Sequence, residues 1–158
     1  MNCNAVSEAM QKLVDGGLAS PPSFQGCTGQ QISLIEKRFG LLLPSCYKDF
    51  LSAMGHNAGE FLVGTDYSYP KMLEFRKEAD ELLRTCKSEF TLPPSAFVFM
   101  FSQGYTFVFF DCNHDFHDPS VFMFTETDTE PDKIANSFSE WLIRAVDGDI
   151  EIYKSLNH

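Results

Sequence analysis

Between Ser88 and Asp132 the chain has eight acids and not one lysine or arginine. A field of that sign repels phosphate backbones and anionic lipid, which excludes nucleic acid and membrane surfaces as partners of this half. Paired cysteines are missing too. The five stand alone at positions 3, 27, 46, 86 and 112 with no CxxC among them. An odd, scattered set reads against a secreted disulfide scaffold and a zinc knuckle, and predicts reduced thiols packed as small hydrophobes. Long apolar runs are absent, since "AFVFMF" and "FVFF" fall far short of the roughly 20 residues that span a bilayer. The start, "MNCNAVSEAMQKLVDGG", lacks a basic segment followed by an apolar block, so no signal peptide is expected and cytoplasmic is the default location. There is no phosphate-cradling glycine loop, no GxSxG and no HExxH. No cofactor is expected.

What is present is phenylalanine. Sixteen of them against one tryptophan, in a chain of 158 residues that is 44% hydrophobic, indicate one domain over residues 1–158 with an aromatic core. The net charge of −10 is unevenly placed. Met1 to Lys87 holds ten acids and nine bases, whereas Ser88 to His158 holds twelve acids and three bases. An acidic half of this kind favours a basic protein partner.

Periodicity divides the chain into helices, strands and a closing helix. Val6, Ala9, Met10, Leu13 and Val14 share one face of a helix over Asn4–Val14, which "DGG" ends. Thr28 and Gln31 fit a capping box, Ile32, Ile35 and Phe39 follow on one face, and Gly40 is placed to close that helix. "LLLP" reads as an extended apolar link. Pro44 suits the first turn of the next helix, in which Tyr47, Phe50, Leu51 and Met54 recur and which Gly55 stops. A third amphipathic helix is predicted over about Lys71–Lys87, with Phe75, Ala79, Leu82, Leu83 and Cys86 inward. From Ala96 the period shortens: "FVFMF", "YTFVFF" and "VFMFTE" form a β-meander with Gly104 at its first turn. Helical signals resume at Pro131, with Ile134, Phe138, Trp141, Leu142 and Ala145 in one stripe; "DGDIEIYKSLNH" fits either a short strand or a helix. The order predicts an α+β fold, an antiparallel sheet with amphipathic helices packed on one face.

The string "DCNHDFHDP", Asp111–Pro119, is the one place that looks like a metal site. Asp111, Asn113 and Asp115 match the opening of an EF-hand loop, but Phe116 and Phe122 stand where glycine and a bidentate glutamate belong. Cys112, His114 and His117, with Asp115 or Asp118, offer zinc donors, yet all crowd into one turn where structural zinc pins separate segments. A Cys–His nucleophile would need a base, an orienting group and oxyanion donors that the string does not supply. The plainer reading is a polar turn between two strands, in which Asp and Asn cap bends and Pro119 blocks continuation. A metal-dependent enzyme or metal-binding domain centred on Cys112, His114 and His117 is the alternative.

"IEKRFGLLLPSCYKDFLSAMGHNAG" resembles the N-terminal signature of the SUKH superfamily, whose members include fungal cell-wall-assembly regulators and many bacterial immunity proteins. The signature places are held by Ile35 and Glu36, Gly40, Leu43 and Pro44, Tyr47, Phe50 and Leu51, and Asn57 with Gly59. Downstream, "FVFMFSQGYTFVFFD", "DPSVFMF" and "IANSFSEWLIRAV" are similar to the family's strand–turn–strand, next strand and closing helix, so the likeness runs over about residues 28 to 146. The resemblance implies a six-stranded or similar antiparallel sheet with helices against it, no catalysis by the domain, and a role in binding and neutralising a cognate toxin, or else in a regulatory scaffold. A toxin with a basic, nuclease-like cleft would suit the acidic half. The rim expected to bind it comprises Asp111, Asp115, Asp118, Glu126, Asp128 and Glu130. Oligomeric state is not encoded in any motif.

Overall fold

A computed structural model describes residues 3–157. The chain runs through helix α1 (Asn4–Asp15), strand β1 (Phe24–Gln25), α2 (Gly29–Phe39), α3 (Ser45–Met54), β2 (Asn57–Ala58) and α4 (Phe75–Thr85). It continues through β3 (Ala96–Ser102), β4 (Thr106–Asp111), β5 (Val121–Thr125), β6 (Asp132–Ala135) and α5 (Phe138–Leu156). The class is α+β and the meander is antiparallel, as the sequence predicts. The six strands divide between two sheets, β3-β4-β5-β6 in that order and a separate β1-β2 pair.

Helix ends follow the capping signals. Thr28 Oγ1 accepts from the Gln31 N–H at 3.1 Å while Gln31 Oε1 accepts from the Thr28 N–H at 2.9 Å. Gly40 adopts φ 64°, a left-handed conformation that glycine enters without steric penalty. The following link is held from behind, because Glu36 accepts from the Leu43 N–H at 2.7 Å. Leu43 is therefore drawn inward while Leu42 stays exposed. At Gly26 a Cβ would fall on the Ser52 carbonyl, so only glycine lets β1 lie against α3 closely enough for Cys27 N–H to reach Leu51 O at 2.7 Å.

Two expectations are corrected. Pro131 does not open a helix: Asp132–Ala135 pairs with β5, placing Ile134 in a strand, and α5 starts only at Phe138 behind an Ser137 cap. The predicted helix over Lys71–Lys87 is shorter, with a 3-10 turn over Lys71–Glu74 and α4 ending at Thr85. The ambiguous tail extends α5 to Leu156. It is tied back by Asp149, which accepts from the Leu62 N–H at 2.7 Å, and by the Lys12–Asp147 ion pair at 3.0 Å.

The sheet distributes its phenylalanines over two faces. Register pairs Phe97 with Phe110 and Val98 with Phe109, then slips so that Phe101 meets Phe107. That bulge inverts the alternation of β3. Phe97, Phe99 and Phe110 thus face Tyr47 of α3 at 5.4, 5.9 and 5.2 Å between ring centroids, and Phe99 also meets Trp141 of α5 at 4.8 Å. Phe101, Phe107, Phe109, Phe122 and Phe124 line the other face. There α4 supplies Phe75 at 6.1 Å from Phe101, and the segment after α4 supplies Phe90. Helices α3 and α5 thus occupy one face, with α1 against them. The expectation of helices on one face alone is corrected for α4, which with residues 86–95 covers part of the opposite face because Phe75 packs on Phe101.

Candidate functional site

The loop between β4 and β5 is a structural clasp. Pro44 has no side chain able to cap α3, so the first free N–H groups of that helix need partners from elsewhere. The loop provides them: Phe116 O accepts from Ser45 N–H and His117 O from Cys46 N–H, both at 3.0 Å. Asp118 then accepts from the Ser139 N–H at the start of α5, at 2.9 Å. Asp115 shapes the turn itself, taking the His117 and Asp118 N–H groups at 2.8 and 3.0 Å. Those two bonds hold the Asp115 carboxyl below the usual carboxylate range. With its folded value depressed, their stabilisation is full above the unfolded value and is lost as pH falls through the folded one.

One prediction arises here. Asp118→Ala leaves an α5 N–H without its anionic acceptor and is expected to lower stability by about 1 kcal/mol in urea unfolding. An unchanged midpoint would mean the Asp118 bond to α5 contributes nothing.

Cys112, His114 and His117 do not converge. The Cys112 side chain is buried, His114 is exposed, and His117 Nε2 lies 3.9 Å from Cys46 Sγ instead. Among the described residues no group of three or more His, Cys, Asp or Glu is arranged to hold a metal ion. Burial pushes the Cys112 and Cys46 thiols up to about 12 and Cys27 to about 11. A nucleophile or metal ligand must be the thiolate, and these three sulfurs remain protonated near neutral pH.

The six acids of the predicted rim are spread over both ends of the meander. Asp115 and Asp118 lie in the β4–β5 loop, and Glu126 and Asp128 lie in the β5–β6 loop at the other end, where Asp128 accepts from the Thr125 N–H at 2.9 Å. Asp111 and Glu130 are brought together. Asp111 ends β4 on the face of Phe109, and the β5–β6 loop turns back over that face, so both residues line one groove of about 650 Å³. Glu89, from the segment after α4, is the third carboxylate, and Phe90, Pro93, Phe109, Phe122, Thr129 and Pro131 complete the lining. Sequence reasoning passed over Glu89; its place inside the 45-residue stretch free of bases was the available signal. Among the described residues none of the three makes an ion pair.

The rings of the groove stack against one another in a row that forms its apolar shelf. Phe90 and Phe109 lie 6.2 Å apart with planes at 29°, and Phe109 and Phe122 5.6 Å apart at 24°. Phe90 and Phe122 are half-buried, so the shelf borders solvent. The arrangement suits a cation, an aromatic surface bordered by three carboxylates that make no ion pair among the described residues.

A family model described as the SMI1 / KNR4 family (SUKH-1) matches residues 26–144, about three quarters of the chain. No curated protein matches it.

Proposed function

The chain belongs to the SMI1 / KNR4 family (SUKH-1), and from that premise we propose that it is a non-enzymatic protein-binding domain that captures and neutralises a basic cognate toxin in the cytoplasm. The observation that carries this reading is the groove between residues 86–95 and the β5–β6 loop, where three unpaired carboxylates border an aromatic shelf. Catalytic machinery has little to work with here, since the buried thiols are held neutral and the histidines of the clasp stand apart. No helix is long and apolar enough to cross a membrane among the described residues. The stretch from Ser88 to Asp132 adds long-range attraction for a positive surface, which raises the rate of encounter more than the strength of the final complex.

The test is co-purification with the product of the neighbouring gene, followed by assay of that product alone and in the complex. A stoichiometric complex and a loss of the product's activity are expected. The association rate should fall about tenfold or more between about 50 and 500 mM salt. Glu126→Lys with Glu130→Lys, both exposed, should slow association while leaving the fold intact. Absence of a complex, or a complex in which the product stays fully active, would remove the toxin from this reading. An on-rate indifferent to salt and to both reversals would remove the electrostatics.

A further inference from the structure

The groove has features that mere acidity does not explain, and they narrow what it receives. Its floor is three near-parallel phenylalanine rings, and two of its borders are prolines, Pro93 and Pro131. Purely apolar cargo would leave Glu89, Asp111 and Glu130 at its border with no counter-charge. A phosphate or carboxylate ligand would be repelled by all three. A strongly hydrated ammonium would gain from the carboxylates but would lose water over the rings. A planar, weakly hydrated cation satisfies both parts of the lining, because a guanidinium gives up water readily against apolar rings and presents its N–H groups outward in the plane.

Resting on the protein-binding reading above, we propose that this groove is the anchor site for an arginine side chain of the basic partner. The guanidinium lies against the half-buried rings of Phe90 and Phe122, Glu89 and Glu130 accept its N–H groups, and Asp111 adds charge at the end of β4. Asp111 keeps one oxygen engaged with the Asn113 N–H at 2.9 Å, which leaves its other oxygen for the ligand. A buried aromatic-and-arginine contact at the centre of a charged surface is the kind of pairing that concentrates binding energy in few residues.

The probe is N-acetyl-arginine amide, titrated into the isotope-labelled full chain and followed by amide chemical shifts. Saturable shifts confined to Glu89, Phe90, Phe109, Asp111, Phe122 and Glu130 are expected. The double variant Glu89→Gln, Glu130→Gln should weaken them about threefold or more with the rest of the spectrum unchanged. N-acetyl-norleucine amide should produce no comparable effect, and N-acetyl-lysine amide a weaker one. Equal shifts with norleucine would make the groove an apolar site and overturn the proposal. So would a lysine derivative as tight as arginine, or unsaturable shifts spread equally over distant acids such as Glu151. Shifts of the same amides on concentrating the protein alone would assign the groove to a second copy of this chain. Arginine binding in a chain that fails to neutralise the neighbouring product would leave the site standing and remove the toxin, so the two readings fail separately.

Discussion

Tyr47→Ala is expected to lower the free energy of unfolding by about 3–5 kcal/mol. Against the roughly 5–15 kcal/mol that holds a domain of this size folded, that loss approaches complete unfolding at physiological temperature. Tyr47 is fully buried at the point where α3 meets the sheet and α5. Its ring touches Phe50, Phe97, Phe99, Phe110 and Phe138 with centroids 5.2–6.0 Å away, stacked on the first and angled to the others. Alanine would leave a cavity walled by five rings, each fixed by its own strand or helix and so unable to close it. The hydroxyl has a small share in this, as its only partner among the described residues is the Met72 sulfur at 3.7 Å. Tyr47→Phe should therefore cost about 1 kcal/mol or less. Urea unfolding of both variants separates the contributions. A loss below about 1 kcal/mol for Tyr47→Ala would mean the five rings do collapse, contrary to the packing described.

Tyr47 also shows why so much of the fold was readable. Its place at i in a Tyr47, Phe50, Leu51, Met54 repeat has one physical solution, a helix with that stripe inward, and all four are buried. Side chains that cap helices were equally visible, because Thr28, Gln31 and Gly40 act within their own neighbourhood. What escaped depended on distant pairing. Asp132–Ala135 carries a helix-compatible stripe when read forward into Phe138, yet β5 offers an open edge and the segment pairs with it instead. The signal that α5 starts later was Ser137 followed by Glu140. Ser137 Oγ accepts from the Glu140 N–H at 3.0 Å, and Glu140 reaches back to the Asn136 N–H at 2.6 Å. The bulge in β3 is illegible in principle from "AFVFMF", where alternation puts Phe97, Phe99 and Phe101 on one face; only the pairing with β4 moves Phe101 to the other.

The site was legible in charge and illegible in geometry. Absence of bases from Ser88 to Asp132 marked the acidic surface, but Asp115 and Asp118 are spent on backbone N–H groups, a use that depends on where α3 and α5 begin. Polar turns and metal loops draw on the same residues, and what distinguishes them is whether the carbonyls and carboxylates point at helix ends or at a common point. Glu89 reaches the groove only because residues 88–95 are folded back across the sheet, and nothing in its neighbours' side chains announces that. The residue responsible is Arg76, on the preceding helix.

Arg76→Met is accordingly expected to destabilise the protein by about 2–3 kcal/mol and to disable the groove without touching it. From α4 the guanidinium donates to three carbonyls of the following segment, Leu92 O at 3.2 Å and Pro93 O and Ala96 O at 3.1 Å each, while Nε meets Asp80 at 3.1 Å. One planar cation thereby fixes the path of the strap that carries Glu89, Phe90 and Pro93 to the sheet. Methionine keeps the packing of the aliphatic stem and deletes all four partners. Lysine keeps the charge, but a point ammonium has no fork and cannot hold three carbonyls and a carboxylate in one plane. Arg76→Lys should thus recover less than half of the lost stability. Hydrogen exchange is expected to quicken over residues 88–96 in both variants, ahead of the strands β4 and β5. Affinity for N-acetyl-arginine amide should fall with it, since one of the groove's rings, Phe90, and one of its carboxylates, Glu89, lose their frame. If Arg76→Lys matched the parent in both stability and amide binding, simple charge rather than the forked geometry would be holding the strap. Quickened exchange confined to α4, with the strap unchanged, would instead place the effect in the Arg76–Asp80 pair alone.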